Sequence, residues 1–212
     1  GLAVIVHAIG DRANREIITV LEQLAELRHQ KQEPSFMPPA LSHRIEHAQM
    51  IRSEDIQRLA RLNMAACVQP HNMILDINMI NESVGPLGRY TYAYKEMVDA
   101  GIAVLLSSDA PVCDPSPLVG IHAAVTRQRR DGTPAGGWYP EQRISVANAL
   151  RGYTTVPAAF YGQARNMGSL TPGKWADMIV LDRDIFQVDP MEIADARVEM
   201  TVFDGRIVYQ SD

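Results

Sequence analysis

Short apolar runs alternate with segments of helical spacing through most of the chain. Residues 2–6 form a continuous apolar run, which is typical of a parallel strand buried on both faces. Residues 12–28 then place aliphatic side chains at the spacing of one helix face. Further strands are predicted at 42–47, 64–69 and 103–107, and further helices from Ser53 and at 92–100, 118–130, 145–153 and 156–161. This alternation predicts a parallel α/β fold, either a barrel or a doubly wound sheet.

Turn-forming and capping residues set the predicted boundaries of these elements. Asp11 is predicted to cap the first helix, and residues 30–39, rich in Pro and Gln, are predicted to be a loop. Pro70 is predicted to stop the third strand and to open a polar loop that lasts until the helix at 92–100. Gly101 is predicted to end that helix.

The composition of the chain changes after Gly168, where a turn-rich stretch is followed by short strands predicted at 177–181, 198–203 and 206–209. The last two strands are joined by Asp204-Gly205, a dipeptide that favours a tight hairpin. We therefore predict two units, an α/β part at 1–165 and a small β part at 166–212.

Bulk properties limit the classes of partner. The chain has 212 residues, 46% of them hydrophobic, and a formal net charge of -5 without a basic run. This pattern disfavours nucleic acid and membranes as partners and leaves a small-molecule substrate. The two cysteines, Cys67 and Cys113, lie far apart and predict bystander roles in a reducing, cytoplasmic compartment. Because the first element reads as a buried central strand, we expect earlier strands to be missing and the chain to be a fragment.

Polar side chains with ligand chemistry follow each of the first four predicted strands. His7 ends the first, His47 the second, Gln69 and His71 the third, and Asp109 lies just past the fourth. The carboxyl ends of parallel strands build the active site in such folds. Each residue alone has a structural explanation: a core histidine, a cap or a turn. Together, two imidazoles and a carboxylate suit zinc and similar divalent ions.

Six segments carry a resemblance to a known family. They read "VHAIGDRA", "RIEHAQ", "VQPH", "DAGI" followed by "LSSDAPV", "GSLTPGKWADMIVLDRD" and "VFDGRIVY". In this order they resemble the metal-dependent amidohydrolase superfamily, in the branch typified by N-substituted formamide deformylase and the YtcJ-like proteins. The "SDAP" and "PGKxAD" segments are specific only in combination.

The resemblance implies a (β/α)8 TIM barrel, of which this chain supplies strands five to eight, plus part of a small β-sandwich. It implies that His7, His47 and Asp109 are ligands of one or two divalent ions, for which zinc is expected. The family's first-strand His-x-His pair and fourth-strand bridging ligand have no counterpart in this sequence. We therefore expect the polypeptide by itself to be inactive.

The resemblance also implies a reaction, the hydrolysis of a non-peptide C–N bond in an amide, formamide or imide by metal-activated water. Asp109 is then the catalytic residue that accepts the proton of the attacking water. Gln69, His71 and Arg89 fall where substrate-binding residues are expected. Glu46, beside His47, is instead predicted to pair with a basic residue such as Arg44.

Two other functions stay open on the sequence. One is a non-catalytic half-barrel module that forms a homodimer or pairs with another chain through its open sheet edge. The other is a different metal-dependent barrel hydrolase of the phosphoesterase type, which the lack of a Gly-rich anion-binding loop disfavours.

Overall fold

The fold is that of a computed structural model, which describes residues 3–31 and 43–212. Its first part contains β1 (Ile5–Ala8), α1 (Asp11–Gln30), β2 (Arg44–His47), α2 (Ser53–Arg61), β3 (Ala65–Val68), α3 (Pro70–Val84), α4 (Tyr94–Asp99), β4 (Ala103–Leu106), α5 (Pro117–Thr126), α6 (Val146–Tyr153) and α7 (Thr155–Phe160). Its last part contains β5 (Met178–Leu181), β6 (Val198–Phe203) and β7 (Arg206–Gln210). Short 3-10 helices occur at Gly85–Tyr90, Pro140–Gln142 and Pro190–Asp195. Most of the predicted loop at 30–39 lies outside the described residues.

The first sheet is parallel and confirms the predicted α/β class. Its strands are hydrogen-bonded in the order β1-β2-β3-β4, with at least one helix between each pair. The register pairs Ile5 with Arg44 and His7 with Glu46, so the strands run level at their carboxyl ends. Strand ends that are level bring the residues after them to one edge of the sheet.

The two faces of this sheet pack differently because side chains alternate along a strand. One face carries Ile45, Ala66, Val68, Val104 and Leu106 into the main hydrophobic core. The opposite face forms a smaller cluster of Ala65, Cys67 and Leu105, against which Val156 and Phe160 pack. The second face also carries polar groups, and the predicted Arg44–Glu46 ion pair forms there. Apolar side chains therefore pack on both faces, and the second face differs because it also carries charged groups.

The first strand is shifted from its prediction. The apolar run at 2–6 predicts a strand that ends with His7, whereas β1 has His7 as its third residue and ends with Ala8. Leu2 lies outside the described residues. Ile5 is 57% exposed, because β1 is an edge strand of the described sheet. Pairing of this edge with another chain stays a prediction.

The predicted polar loop after β3 is wrong, because the structure has a helix there. Pro70 does stop β3, but it also takes the first position of α3, where a missing N–H costs no hydrogen bond. Ile74, Ile77 and Ile80 follow at helical spacing and are buried. The asparagines of α3 gave the segment its polar character, although none of them is buried.

Two helix ends also differ from their predictions. Asp11 does not cap α1: Gly10 is the N-cap residue, and the Asp11 carboxylate instead forms an ion pair with Arg52 across 2.9 Å. Helix α5 ends at Thr126, because Arg127 adopts a left-handed φ of 54°. The buried Arg127 guanidinium donates hydrogen bonds to the main-chain oxygens of Trp138 (2.6 Å) and Tyr92 (2.9 Å). The predicted end of α4 before Gly101 is confirmed, with φ 78° at that glycine.

The second sheet is antiparallel, in the order β5-β6-β7. Asp204 (φ 49°) and Gly205 (φ 72°) join β6 to β7, and two positive φ values are those of the tight hairpin turn that the dipeptide predicts. The segment between β5 and β6 returns to the α/β part, because Ile185 and Ile193 lie in the main core. The boundary at 165/166 stays a prediction, since the β part is anchored by this returning segment.

In the part of the chain that the structure describes, we find no helix with the length and apolarity needed to cross a bilayer. The cytoplasmic location inferred from cysteine usage stays a prediction.

Candidate active site

Two of the predicted metal ligands meet at the carboxyl ends of neighbouring strands. His7 lies on β1 and His47 ends β2, and their ring centroids are 4.5 Å apart with an interplanar angle of 73°. The edge of one imidazole therefore faces the plane of the other. Parallel pairing of β1 with β2 produces this approach, since residues 7 and 47 lie only one register step apart.

The backbone at these strand ends adopts unusual torsion angles. His47 has φ 74°, Ala48 has φ 42° and Asp109 has φ 57°, all in the left-handed region that residues with a Cβ seldom occupy. Such angles persist only where the surroundings enforce them, and they are enriched at functional sites. After His47 the chain is held by hydrogen bonds from Met50 N to Ile9 O (2.8 Å) and from Tyr92 N to Gln49 O (2.7 Å). Two of the three predicted ligands thus sit on strained backbone.

Gln69 links the ends of three strands. Its Oε1 lies 2.9 Å from His47 Nδ1, while its Nε2 donates to the Cys67 main-chain oxygen (3.2 Å) and to Ser107 Oγ (3.1 Å). The side chain is 3% exposed. Gln69 was predicted to bind substrate, and its amide is instead engaged by protein groups at both ends. A substrate contact by Gln69 stays a prediction.

Asp109 follows β4 and is partly exposed. Its main-chain oxygen accepts from Val112 N (2.8 Å), and among the described residues no side-chain hydrogen bond engages its carboxylate. In residues 3–31 and 43–212, no three His, Cys, Asp or Glu side chains gather closely enough to hold a metal ion. Because β3 lies between β2 and β4, the strands that carry His47 and Asp109 are about 10 Å apart. The structure therefore brings the two histidines together, and the complete trio stays a prediction.

The other two predicted substrate-side residues lie near the same edge of the sheet. His71 is the second residue of α3, and its Nδ1 is buried without a hydrogen-bond partner among the described residues. Arg89 belongs to the 3-10 helix before Thr91, which bridges to Met50 just beyond the end of β2. Its guanidinium stacks on the Tyr90 ring at 4.7 Å and is exposed. Their roles toward a substrate stay predictions.

Neither cysteine has the environment of a reactive thiolate. Burial raises the pKa of the Cys67 thiol to about 11, and a hydrogen bond with Ser107 only partly opposes this. Burial also raises the pKa of Cys113, whose Sγ donates to Asn72 Oδ1 at 2.6 Å. Both side chains are thiols at neutral pH, as their predicted bystander roles require.

Asp76 is a polar residue near the strand ends that the sequence did not single out. Its Oδ2 accepts from Gln49 Nε2 (2.9 Å) and from the Tyr92 hydroxyl (2.5 Å). Burial, more than this hydrogen bond, raises the pKa of Tyr92, so its hydroxyl stays protonated and can donate. Asp76 lies on α3, and the spacing of Ile74, Ile77 and Ile80 was the signal that could have located it.

The donor set fits a divalent metal ion. His7 and His47 are adjacent imidazoles. Gln69 is hydrogen-bonded to Nδ1 of His47, so Nε2 of His47 is the ring nitrogen that can bind a metal ion. Asp109 offers a carboxylate without side-chain hydrogen bonds from the described residues. Nitrogen and carboxylate ligands of this kind suit zinc and comparable ions. Residue types that suit a metal ion therefore lie at the carboxyl edge of a parallel α/β sheet, and a metal site there stays a prediction.

Comparison with known proteins identifies the family. The model of the amidohydrolase family matches residues 1–209, and the chain belongs to this family. The chain is 30% identical to the putative amidohydrolase YtcJ of Bacillus subtilis and 29% identical to N-substituted formamide deformylase of Arthrobacter pascens, each over 99% of its length. An uncharacterized metal-dependent hydrolase from Pyrococcus horikoshii has a similar structure, with a TM-score of 0.72 and 28% identity over 90% of this chain.

These relatives are considerably longer than the chain. It covers 38% of the Bacillus protein, 37% of the Arthrobacter enzyme and 36% of the Pyrococcus structure. The family resemblance seen in the sequence motifs is confirmed, and a hydrolase function stays a prediction.

Proposed function

We propose that the chain forms part of a metal-dependent hydrolase of non-peptide C–N bonds, with amides, formamides and imides as the substrate class. The observation that carries this proposal is the His7–His47 pair at two adjacent strand ends, 4.5 Å between ring centroids. The similarity to N-substituted formamide deformylase supports the type of bond. The similarity to a metal-dependent hydrolase of Pyrococcus supports the need for a metal.

In this proposal, His7, His47 and Asp109 hold a divalent ion, for which zinc is our choice because of the two imidazoles. The ion supplies Lewis acidity, which polarises a carbonyl group and lowers the pKa of a water molecule. The four parallel strands correspond to strands five to eight of a (β/α)8 barrel, and β5–β7 belong to a small β-sandwich. This assignment places all three ligands at the end of the barrel where such enzymes bind substrate.

The side chains of this chain have separate tasks in the reaction. Asp109 takes the proton of the attacking water on its carboxylate and delivers it to the leaving nitrogen as the C–N bond breaks. His71 and Arg89 stabilise the negative charge that develops on the carbonyl oxygen. The lack of side-chain hydrogen bonds to the Asp109 carboxylate among the described residues supports its role, because a proton carrier must be free to exchange.

The test uses the full-length gene product that contains this chain, metal-depleted and then titrated with Zn²⁺. We expect stoichiometric binding in the wild type and a weakening of at least about 100-fold in His7→Ala and His47→Ala, since each removes a ligand. Asp109→Asn is expected to lower kcat by about 10²–10⁴-fold on a panel of small amides and N-substituted formamides, the range of a lost general base.

His29 provides the matched control, because it is an exposed histidine on α1 with no place in the site. His29→Ala should bind Zn²⁺ and turn over substrate like the wild type. Normal turnover by Asp109→Asn, or full Zn²⁺ affinity in His47→Ala, would disprove the proposed site.

A further inference from the structure

Gln69 occupies a position where each end of its amide has a defined partner. It follows β3 directly, and its side chain reaches His47 at the end of β2 on one side and Ser107 after β4 on the other. A third contact, 3.2 Å long, joins Nε2 to the main-chain oxygen of Cys67. Gln69 is 3% exposed, so water cannot readily replace these partners.

The Cys67 contact decides which way the amide of Gln69 points. A main-chain carbonyl oxygen can only accept a hydrogen bond, so the atom facing it must be the amide nitrogen. Rotating the amide by 180° would place two oxygens in contact at that position and remove the donor from the Cys67 main-chain oxygen. Ser107 Oγ accepts in the observed orientation as well. The amide oxygen of Gln69 is therefore the atom that faces His47.

The amide orientation in turn decides where the proton of His47 lies. An amide oxygen has no hydrogen to donate, so the hydrogen bond of 2.9 Å exists only if Nδ1 of His47 carries the proton. In a neutral imidazole one nitrogen donates and the other holds a lone pair. With the proton on Nδ1, the lone pair is on Nε2. The opposite tautomer would set the Nδ1 lone pair against the Gln69 oxygen.

We propose that Gln69 is a positioning residue that holds His47 in the Nδ1–H tautomer and so presents Nε2 as a ligand. The tautomer follows from the hydrogen bonds alone, whereas the use of Nε2 as a metal ligand rests on the proposed function. A carboxylate in this place would accept from His47 but could not donate to the Cys67 oxygen. Glutamine is the side chain of suitable length that both accepts and donates, which explains its presence at the end of β3.

The direct test is ¹⁵N NMR of the metal-free, full-length gene product labelled in its histidines, at pH ~8.5 where an ordinary imidazole is neutral. The His47 signals are assigned by their loss in His47→Asn. We expect a protonated, pyrrole-type Nδ1 and an unprotonated, pyridine-type Nε2 in the wild type. A wild-type His47 protonated on Nε2 would overturn the inference, and this measurement requires no variant of Gln69.

Two variants separate positioning from a general effect on folding. Gln69→Met removes the acceptor at similar volume, and it should shift the tautomer of His47 and weaken Zn²⁺ binding by about 10–100-fold. Gln49→Met is the matched control: Gln49 is a buried glutamine two residues from His47, and its amide donates to Asp76 instead. It should keep the wild-type tautomer and bind Zn²⁺ within about twofold of the wild type. An unchanged tautomer in Gln69→Met, or an equal shift in Gln49→Met, would contradict the inference.

The two proposals fail in different ways. If the wild type shows the Nδ1–H tautomer but does not bind Zn²⁺, the proposed function is wrong and the role of Gln69 toward the imidazole stands. If Zn²⁺ binds stoichiometrically while His47 is protonated on Nε2, the proposed function stands and the role of Gln69 is wrong.

Discussion

The two sheets of the molecule are built from strands of similar length but occupy opposite environments. Every residue of β3 is buried in the parallel sheet, whereas every residue of β7 is exposed in the antiparallel sheet. Burial of apolar area stabilises the first sheet by about 25 cal/mol per Å² removed from water. Among the described residues, three features stabilise the second sheet. They are the hydrogen bonds between its strands, its tight turn and the returning segment that contains Ile193. Its position therefore depends on the α/β part, to which the returning segment joins it.

This comparison predicts the largest effect for a truncation in the parallel sheet. Ile45 on β2 is fully buried, so Ile45→Ala should lower the free energy of unfolding by about 2–5 kcal/mol, because it loses apolar contacts and leaves a cavity. Ile207 on β7 is 58% exposed, and Ile207→Ala should cost less than about 1 kcal/mol. Chemical denaturation of both variants measures the difference. Equal losses would show that the two sheets do not differ in this way.

The returning segment offers a sharper test of how the β part is anchored. Ile193 lies in the C-terminal part of the sequence but is fully buried in the main core. Ile193→Ala should lower the free energy of unfolding by about 2–4 kcal/mol. This is below the largest losses seen for truncations in a core, because a short 3-10 segment can relax into the cavity. Protection of β6 amides measured by hydrogen exchange should fall together with that of α5. If only the β6 amides lost protection, Ile193 would stabilise the second sheet alone, and the prediction would be wrong.

The hairpin turn should contribute less to stability than the core residues, and its effect should be confined to β6 and β7. Gly205 has φ 72°, which is unfavourable for any residue with a Cβ, so Gly205→Ala should destabilise the β6–β7 hairpin by about 1–2 kcal/mol. Asp204→Asn is the control, because asparagine accepts a positive φ as readily as aspartate. Hydrogen exchange of β7 amides reports the effect. The alanine variant would contradict the assigned turn if its β7 amides exchanged at the wild-type rate.

The smallest predicted effect is a pH dependence at the junction of the two parts. His122 on α5 is buried, with Nδ1 3.2 Å from Pro190 O and Nε2 3.2 Å from Gln128 O, and burial lowers its pKa. Below pH ~6.5 the unfolded chain binds a proton at this residue more readily than the folded chain does. The contribution of His122 is therefore complete above that pH and is lost as the pH falls through the lowered pKa. The charged groups nearest to it, Arg130 and Asp195, pair with each other.

Urea denaturation at pH 7.5 and 5.5 measures this dependence. His122→Asn should lose less stability than the wild type between the two values, because it has no imidazole to protonate, whereas the exposed control His29→Asn should follow the wild type. If His122→Asn kept the pH dependence of the wild type, protonation of His122 would not be the cause of that dependence. His43, whose pKa burial also lowers, contributes with the same sign in all three proteins.

Much of the fold could be predicted from local patterns. The alternation of strand and helix patterns located β2, β3 and β4 to within a few residues, and the Asp204-Gly205 dipeptide identified the hairpin turn. Because His7, His47 and Asp109 lie at or just after predicted strands, their location at the carboxyl edge of the sheet could also be predicted. Helix α3 was not, because its asparagines concealed the spacing of its isoleucines and Pro70 reads equally well as a stop or as a first helical residue.

The sequence by itself determined the class of the fold, the family and the ends of strands at which chemistry is expected, since these depend on periodicity and on the order of motifs. Only the tertiary structure decided which side chains meet. It brought His7 to His47, left Asp109 apart from them, and engaged Gln69 with three strand ends at once. Contacts of this kind depend on strand order, register and torsion angles, such as φ 74° at His47, which no local pattern in the sequence specifies.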